Sequence, residues 1–411
     1  MKIWHPFTQE KITPQPIKIV RGSGAHLFDS RGNKYVDMVS SWWVNILGHA
    51  NQEIADAIHE QAITLEHVIF AGFTHEPAEK LCKALYEFLP KSLEYFFFSD
   101  NGSTAVEVAL KMSYQYFRNI GDNERNIYVN LEGGYHGDTI GAMSAAGNAS
   151  QYHSTFSEFF FKTFSIDFPE DDEREELAVH KLQKFLENYG SKVCALIVEP
   201  LVQGAAGMRM YSSKFLEKIV IDVRKQGILV IFDEVMTGFY RTGTMFAMDQ
   251  CIEKPDIVCL SKAITGGFLP LALTVTNSAV YEAFLSDDWK KAFIHGHSYT
   301  ANPLGCAAAC KALQILQRAD VRSNIETIAK THCAHIRQVC SASNKRSIGT
   351  IAAFDVKSAE MARKIKNYLM ENGIITRPIG RSVYLLPPYC ISSEDLQRAY
   401  QSIHDFSCLG R

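Results

Sequence analysis

Two short apolar runs, each ending on a charged residue, set the terms for this chain. Gly227-Ile228-Leu229-Val230-Ile231-Phe232 is rich in strand formers and stops at Asp233-Glu234. Pro255-Asp256-Ile257-Val258-Cys259-Leu260 is the second run, ending at Ser261-Lys262 with Gly266-Gly267 just beyond. Between them lies the turn-rich segment Thr237-Gly238-Phe239-Tyr240-Arg241-Thr242-Gly243. In open α/β sheets ligands sit outside the carboxyl ends of the strands. A carboxylate and an amine would therefore project side by side into one crevice.

Such a pair suits pyridoxal phosphate. That cofactor needs a lysine for its Schiff base and a carboxylate to keep its pyridine nitrogen protonated, so that the ring drains electrons from a carbanion. Lys262 is then the Schiff-base lysine and Asp233 the ring-nitrogen partner. Taken singly, each reads more simply as an ordinary strand-end residue, Asp233 capping a loop and Lys262 in solvent. The pair, joined to a phosphate site elsewhere in the chain, reverses that order.

The phosphate site is sought where a strand meets a helix. Tyr95-Phe96-Phe97-Phe98 runs into Ser99-Asp100-Asn101-Gly102-Ser103-Thr104, after which Ala105, Val108, Ala109, Met112 and Tyr116 follow helical spacing. A Gly-Ser turn at a helix N-terminus offers free N–H groups and a favourable dipole; a plain cap by Ser103 or Thr104 is the alternative. No Walker-type Gly-Lys-Ser/Thr occurs there, which argues against a nucleoside triphosphate. The strand Ile127-Tyr128-Val129-Asn130 leads to a Gly-rich loop in which Tyr135 or His136 could stack on a flat cofactor. Ser298, near the start of a helix from Asn302 to Leu316, is a candidate second phosphate donor. His295 and His297 lack a third ligand of fitting spacing, so no metal is expected.

Other signals are weaker. Trp42 and Trp43 cannot both face one side of an extended segment, so one packs inward and one lines a surface or site; a hydrophobic plug between lobes fits as well. Arg377 sits in a loop where a guanidinium could clamp a carboxylate bidentately, although a surface arginine is the plainer reading. Val193 to Val198 is a strand ending in Glu199-Pro200, and Ile166 to Leu177 reads as a solvated acidic connection.

At 411 residues the chain exceeds one ordinary core, so two domains, or one large domain with a smaller lobe, are expected. From about residue 317 helices alternate with the strands Ile351–Val356 and Ser382–Leu386, an α+β pattern. The net charge of -3 offers no basic surface for a nucleic-acid backbone. The N-terminus has no apolar signal-peptide region, and no apolar run approaches a bilayer span. The 10 cysteines never form Cys-x-x-Cys, which suits reduced, buried thiols in a cytoplasmic protein.

Taken together, Trp4-His5-Pro6, Ser41-Trp42-Trp43, Gly134-Tyr135-His136-Gly137-Asp138-Thr139, Val202-Gln203-Gly204-Ala205, Asp233-Glu234-Val235 with Lys262, and Leu386-Pro387-Pro388-Tyr389 resemble the class III (ω-) aminotransferases. The resemblance runs over nearly the whole chain. It implies an aspartate-aminotransferase-like α/β fold (PLP fold type I): a large domain, 49–316, with a mixed, mostly parallel sheet, and a smaller α+β domain built from 1–48 and 317–411. It implies pyridoxal 5'-phosphate as cofactor and a homodimer with shared active sites. By the same resemblance Lys262 and Asp233 are catalytic, and Gly102, Ser103 and Tyr135 border the cofactor. Phe7, Trp42, Trp43, Tyr135, Arg241 and Arg377 line the substrate pocket, Arg377 holding the keto acid's carboxylate. Gly296, His297 and Ser298 match a loop that crosses to the partner's cofactor.

Within the family the chain is similar to the subgroup that aminates 8-amino-7-oxononanoate to 7,8-diaminononanoate in biotin biosynthesis, with S-adenosylmethionine the usual amino donor. Two departures stand out. Phe7 replaces a usual Tyr, removing a hydroxyl from the pocket, and Gly296-His297-Ser298-Tyr299 replaces a usual Gly-Pro-Thr-Phe. The rival readings are an ornithine- or γ-aminobutyrate-type ω-aminotransferase, an aminomutase, and a non-enzymatic binding protein.

Overall fold

The computed structural model describes residues 3–147, 154–340 and 342–408. Near the N-terminus, β1 (Ile19–Ser23), β2 (His26–Asp29) and β3 (Lys34–Asp37) form an antiparallel meander. The expected hairpin is β2–β3; β1, with mostly exposed residues and no apolar alternation, was not anticipated. The middle of the chain contributes β4 (Tyr95–Ser99), β5 (Ile127–Leu131), β6 (Thr163–Ile166), β7 (Val193–Val198), the small hairpin β8 (Val202–Gln203) and β9 (Arg209–Met210), β10 (Leu229–Asp233), β11 (Ile257–Leu260) and β12 (Ala272–Thr276). Seven of these make one sheet, ordered β4-β12-β11-β10-β7-β5-β6. β12 alone runs against its neighbours, so the sheet is mixed and mostly parallel. β4 pairs antiparallel with β12, and its carboxyl end therefore lies on the same edge as those of β5, β7, β10 and β11.

The sheet is buried on both faces, as the unbroken apolar runs require. Along β10, Val230 and Phe232 join one apolar cluster while Leu229 and Ile231 join the other, and β11 repeats the alternation with Val258 and Leu260 against Ile257 and Cys259. One cluster includes Ala105, Val108, Ala109 and Met112 of the helix Gly102–Asn119; the other takes in Ala308, Ala309 and Ala312 of the helix Pro303–Leu316. Four alanines in that second helix permit close approach, and its neighbours include the amphipathic helices Gln52–Ala62 and Glu76–Tyr86.

The C-terminal part adds β13 (Ser343–Ile348), β14 (Ile351–Asp355), β15 (Ile374–Ile375) and β16 (Ser382–Leu385). β13, β14 and β16 form an antiparallel sheet covered by helices, whereas β15 leaves them and pairs in parallel with β3. β13 carries charged, half-exposed residues that hide its strand character in the sequence. The acidic stretch read as a connection is corrected in part: Asp171 accepts from the Arg174 N–H and caps a helix, Asp172–Tyr189. Its three first-turn acids favour the positive end of that helix's dipole.

His332, on the helix Ala319–Ile336, is fully buried with Nδ1 2.7 Å from the hydroxyl of Tyr400. Burial pulls its pKa from 6.5 down to about 3. Between those values the unfolded chain binds more protons than the fold does. The contribution to stability is therefore complete above 6.5 and falls away as pH drops towards 3. The full window corresponds to roughly 4–5 kcal/mol. Urea titrations at a series of pH values across it should show the wild type losing more stability than His332→Gln; parallel losses would contradict this account.

Candidate active site

Strand ends on the shared edge line one cavity of about 520 Å3. β4 delivers Asp100 to Ser103, β5 delivers Tyr135 to Gly137, β7 delivers Glu199, β10 delivers Asp233, and β11 delivers Ser261 and Lys262. The parallel register explains the convergence. Phe232 pairs with Val198 on one side and Val258 on the other, so the residues that follow emerge level with one another.

Asp233 is buried and fully engaged: Oδ2 lies 2.7 Å from His136 Nδ1, and Oδ1 accepts from the Val235 N–H at 3.1 Å. His136 is itself buried, so its ring is held rigidly against the carboxylate. Lys262 follows Ser261 with φ 45, a left-handed conformation that sharply redirects the chain after β11. Its Nζ lies 4.7 Å from the centre of the Trp43 ring, and among the described residues no carboxylate oxygen comes within 4.0 Å of it. The acid and the amine thus share a cavity without touching. Burial pulls the Lys262 pKa below the usual lysine value, against the opposing pull of Asp233 and Glu199.

Glu199 is a wall residue to which the sequence reading gave no role. Its Oε1 accepts from the Gly204 N–H at 3.2 Å and its Oε2 from the Tyr135 N–H at 3.4 Å. Burial, and then Asp233, pushes its pKa well above the usual carboxylate value. A signal was available: like Asp233, it is an acid closing an unbroken apolar strand. Glu234 is also fully buried but points away from this cavity. It accepts from Thr237 Oγ1 and from the Ala247 and Met248 N–H groups, and burial pushes its pKa up to about 7.

Gly102 and Ser103 open the 18-residue helix Gly102–Asn119, capped by Asn101, whose Oδ1 accepts from the Thr104 N–H. Gly102 and Ser103 both line the cavity, so the helix end, whose first N–H groups lack partners within the helix, lies at its wall. This corner is tight. A Cβ on Gly102 would stand 2.7 Å from Val235 Cγ1, and one on Gly137 (φ +125) only 2.0 Å from Ser103 Oγ. Tyr135 is half-buried on the wall, its hydroxyl donating to Asp138 Oδ2 at 2.9 Å.

The paired tryptophans separate as expected. Ser40, Ser41, Trp42 and Trp43 all have positive φ, 45 to 74, forming one left-handed turn. Trp43 goes inward, buried, with Nε1 donating to Tyr384 Oη at 3.1 Å. Trp42 goes outward, in edge contact with Phe7 at 5.4 Å, and the Arg377 guanidinium lies over its ring at 4.1 Å. Phe7, Trp42 and Arg377 therefore form one exposed cluster. Arg241 is elsewhere: it has no exposed surface, its Nη1 donates to the Pro387 carbonyl, and it is absent from the cavity wall. Gly296, His297 and Ser298 also lie outside this chain's cavity, on a loop bearing exposed Ile294 and Tyr299.

The chain is similar to known proteins over nearly its whole length. The aminotransferase class-III family profile matches residues 7–406. The chain is 43% identical to the adenosylmethionine-8-amino-7-oxononanoate aminotransferase of Synechococcus elongatus, across 98% of this chain and 97% of that one. Among solved structures, the enzyme of the same name from Methanocaldococcus jannaschii superposes with a TM-score of 0.93 at 35% identity, covering 99% of this chain and 97% of that one. An amine transaminase from an uncultivated Pseudomonas species, in its PLP-bound form, superposes with a TM-score of 0.92 at 27% identity, covering 100% and 99%.

The contact at Gly137 can be tested apart from any activity. Gly137→Ala should lower unfolding stability by about 1–3 kcal/mol through crowding, on top of the left-handed strain. Gly72→Ala isolates the strain alone, because Gly72 (φ +81) has nothing within 4 Å of an added Cβ. Equal losses in the two variants, measured by urea titration, would show that Ser103 moves freely aside.

Proposed function

This chain belongs to the class-III aminotransferases, and from that premise we propose that it transfers an amino group to 8-amino-7-oxononanoate, with S-adenosylmethionine as donor. The product, 7,8-diaminononanoate, lies on the route to biotin. One observation carries the reading: a buried acid and a half-buried lysine line a single cavity, in a chain 43% identical to an enzyme of that name.

The cofactor of this family is pyridoxal phosphate, and the cavity's residues fit it. The amine and acid line one 520 Å3 space without touching, beside a helix N-terminus where a Cβ at 102 or 137 would be crowded. Lys262, Asp233, Gly102 and Ser103 would hold it, with Tyr135 against its face. When bound, it supplies an electron sink for the carbon that bears the amino group.

The side chains do the rest. Lys262 Nζ, more readily neutral than a solvent lysine because of burial, would be the base that takes the proton from the donor carbon. Asp233, oriented by His136 and the Val235 N–H, holds the pyridine proton in place. In a site shielded from water such a charge acts strongly. Trp42 and Phe7 give the substrate an aromatic wall, and Arg377 binds the keto acid's carboxylate. Phe7 contributes stacking without a hydroxyl donor.

The same reading extends to assembly. Gly296, His297 and Ser298 reach a second subunit's cofactor in a homodimer. Support comes from exposed apolar side chains on that loop, Ile294 and Tyr299, the latter against the His67 ring at 5.4 Å. Residues 49–316 form the cofactor-binding domain, and 1–48 with 317–411 the smaller one, in a cytoplasmic enzyme. Among the described residues every cysteine is free, and no helix is long and apolar enough to cross a membrane.

Lys262→Ala should abolish the cofactor–lysine absorbance band and reduce turnover to background; a normal band in that variant would end the assignment. Arg377→Ala should raise the KM for 8-amino-7-oxononanoate roughly 10- to 100-fold with little change in kcat, as expected for loss of a charge-assisted bidentate contact. An unchanged KM would remove Arg377 from the substrate site.

A further inference from the structure

The cavity's charges do not balance. Its titratable wall residues are Asp100, Tyr135, His136, Glu199, Asp233 and Lys262. Asp100 is satisfied locally by Asn101 Nδ2 at 2.7 Å and Thr104 Oγ1 at 3.1 Å. That leaves two buried carboxyls, Asp233 and Glu199, facing one amine. Their hydrogen bonds are unequal. Asp233 has a 2.7 Å contact with an imidazole as well as a backbone N–H, whereas Glu199 has two longer backbone contacts and no side-chain donor. In a desolvated site the less supported carboxyl keeps its proton. The two contacts of Glu199 come from different loops, Tyr135 after β5 and Gly204 in the β8–β9 hairpin. Its backbone is fixed as well, because the Tyr211 hydroxyl donates to the Glu199 carbonyl at 2.6 Å.

We propose that Glu199 is a positioning residue that joins the Tyr135 loop to the Gly204 turn while uncharged, and becomes the counter-ion of the amino donor's ammonium when a second cation enters the cavity. On donor entry the Glu199 O–H breaks, its proton passes to solvent, and the carboxylate left behind faces the incoming ammonium. No oxidant or further reactant is needed. The inference rests on the aminotransferase reading, since it requires a donor amine. It explains why a carboxyl stands in this wall where a hydrophobic residue would bury at lower cost.

Glu199→Gln keeps the shape and can still accept one backbone N–H bond, but it cannot ionise. The holoenzyme variant should keep the wild-type cofactor absorbance and bring kcat within about threefold, while the KM for S-adenosylmethionine rises about tenfold. The wild-type kcat/KM for the donor should rise with pH as Glu199 loses its proton, a limb that Glu199→Gln lacks and Glu199→Asp retains. Infrared difference spectra, wild type minus Glu199→Gln, provide a readout without turnover: a carboxylic-acid C=O band in the resting protein, lost when donor is added. An ionised carboxylate in the resting protein, or an unchanged donor KM in Glu199→Gln, would overturn the proposal. Should Glu199→Gln not fold, the pH limb in Glu199→Asp decides: its absence overturns the proposal. Failure of the underlying reading looks different, because the wild type itself would then not turn over the donor.

Discussion

The parallel register of β7, β10 and β11 is the constraint on which the rest of this structure depends. Val198, Phe232 and Val258 stand level across three strands, and the chain leaves each of them towards the same edge. A slip of one residue would turn every side chain of a strand to the opposite face. Here that would exchange the two apolar clusters and carry Asp233 away from His136. Because both faces of these strands are packed, the register that buries the apolar residues is also the one that assembles the acid, the amine and the second carboxyl.

The cavity thus inherits its chemistry from packing. Asp233 and Glu199 are buried and Lys262 half-buried, and burial favours the neutral forms of Glu199 and Lys262. Each charge that persists there needs a fixed partner. His136 is that partner for Asp233, and it in turn is held by the Gly134 to Gly137 loop, which the Glu199 carboxyl ties to the β8–β9 hairpin. The wall is one connected network, with each loop positioned by a buried polar contact to another strand's end.

The left-handed turn at Ser40 to Trp43 shows the same economy at a local cost. Each non-glycine residue in that conformation costs about 1–2 kcal/mol. Tertiary contacts over-determine it. Ser40 Oγ donates to the Leu386 carbonyl, Ser41 Oγ donates to Asp37, and Asp37 is held in turn by His49 and the Val39 N–H. The turn places Trp43 beneath Lys262 and sends Trp42 out to Phe7 and Arg377. A right-handed turn would present the two rings differently. Strain of this kind gathers where a site needs a geometry that ordinary backbone does not supply.

The sequence alone established the central strands, the helix after Gly102, the pairing of Asp233 with Lys262 in one crevice and the divergence of the two tryptophans. Each is a local property: an apolar run, a helical spacing, a strand-end charge or the alternation of side chains. It did not reveal the Glu199 contacts, the His136–Asp233 bond, the joining of β15 to β3, or the burial of Arg241 away from the cavity. Those depend on residues up to several hundred positions apart meeting at fixed distances, as Arg241 meets Pro387 and Trp43 meets Tyr384. Periodicity records which face of an element is apolar. Which polar groups then meet in the dry interior is decided only when the elements pack, because a buried donor or acceptor takes whatever partner the fold brings within reach.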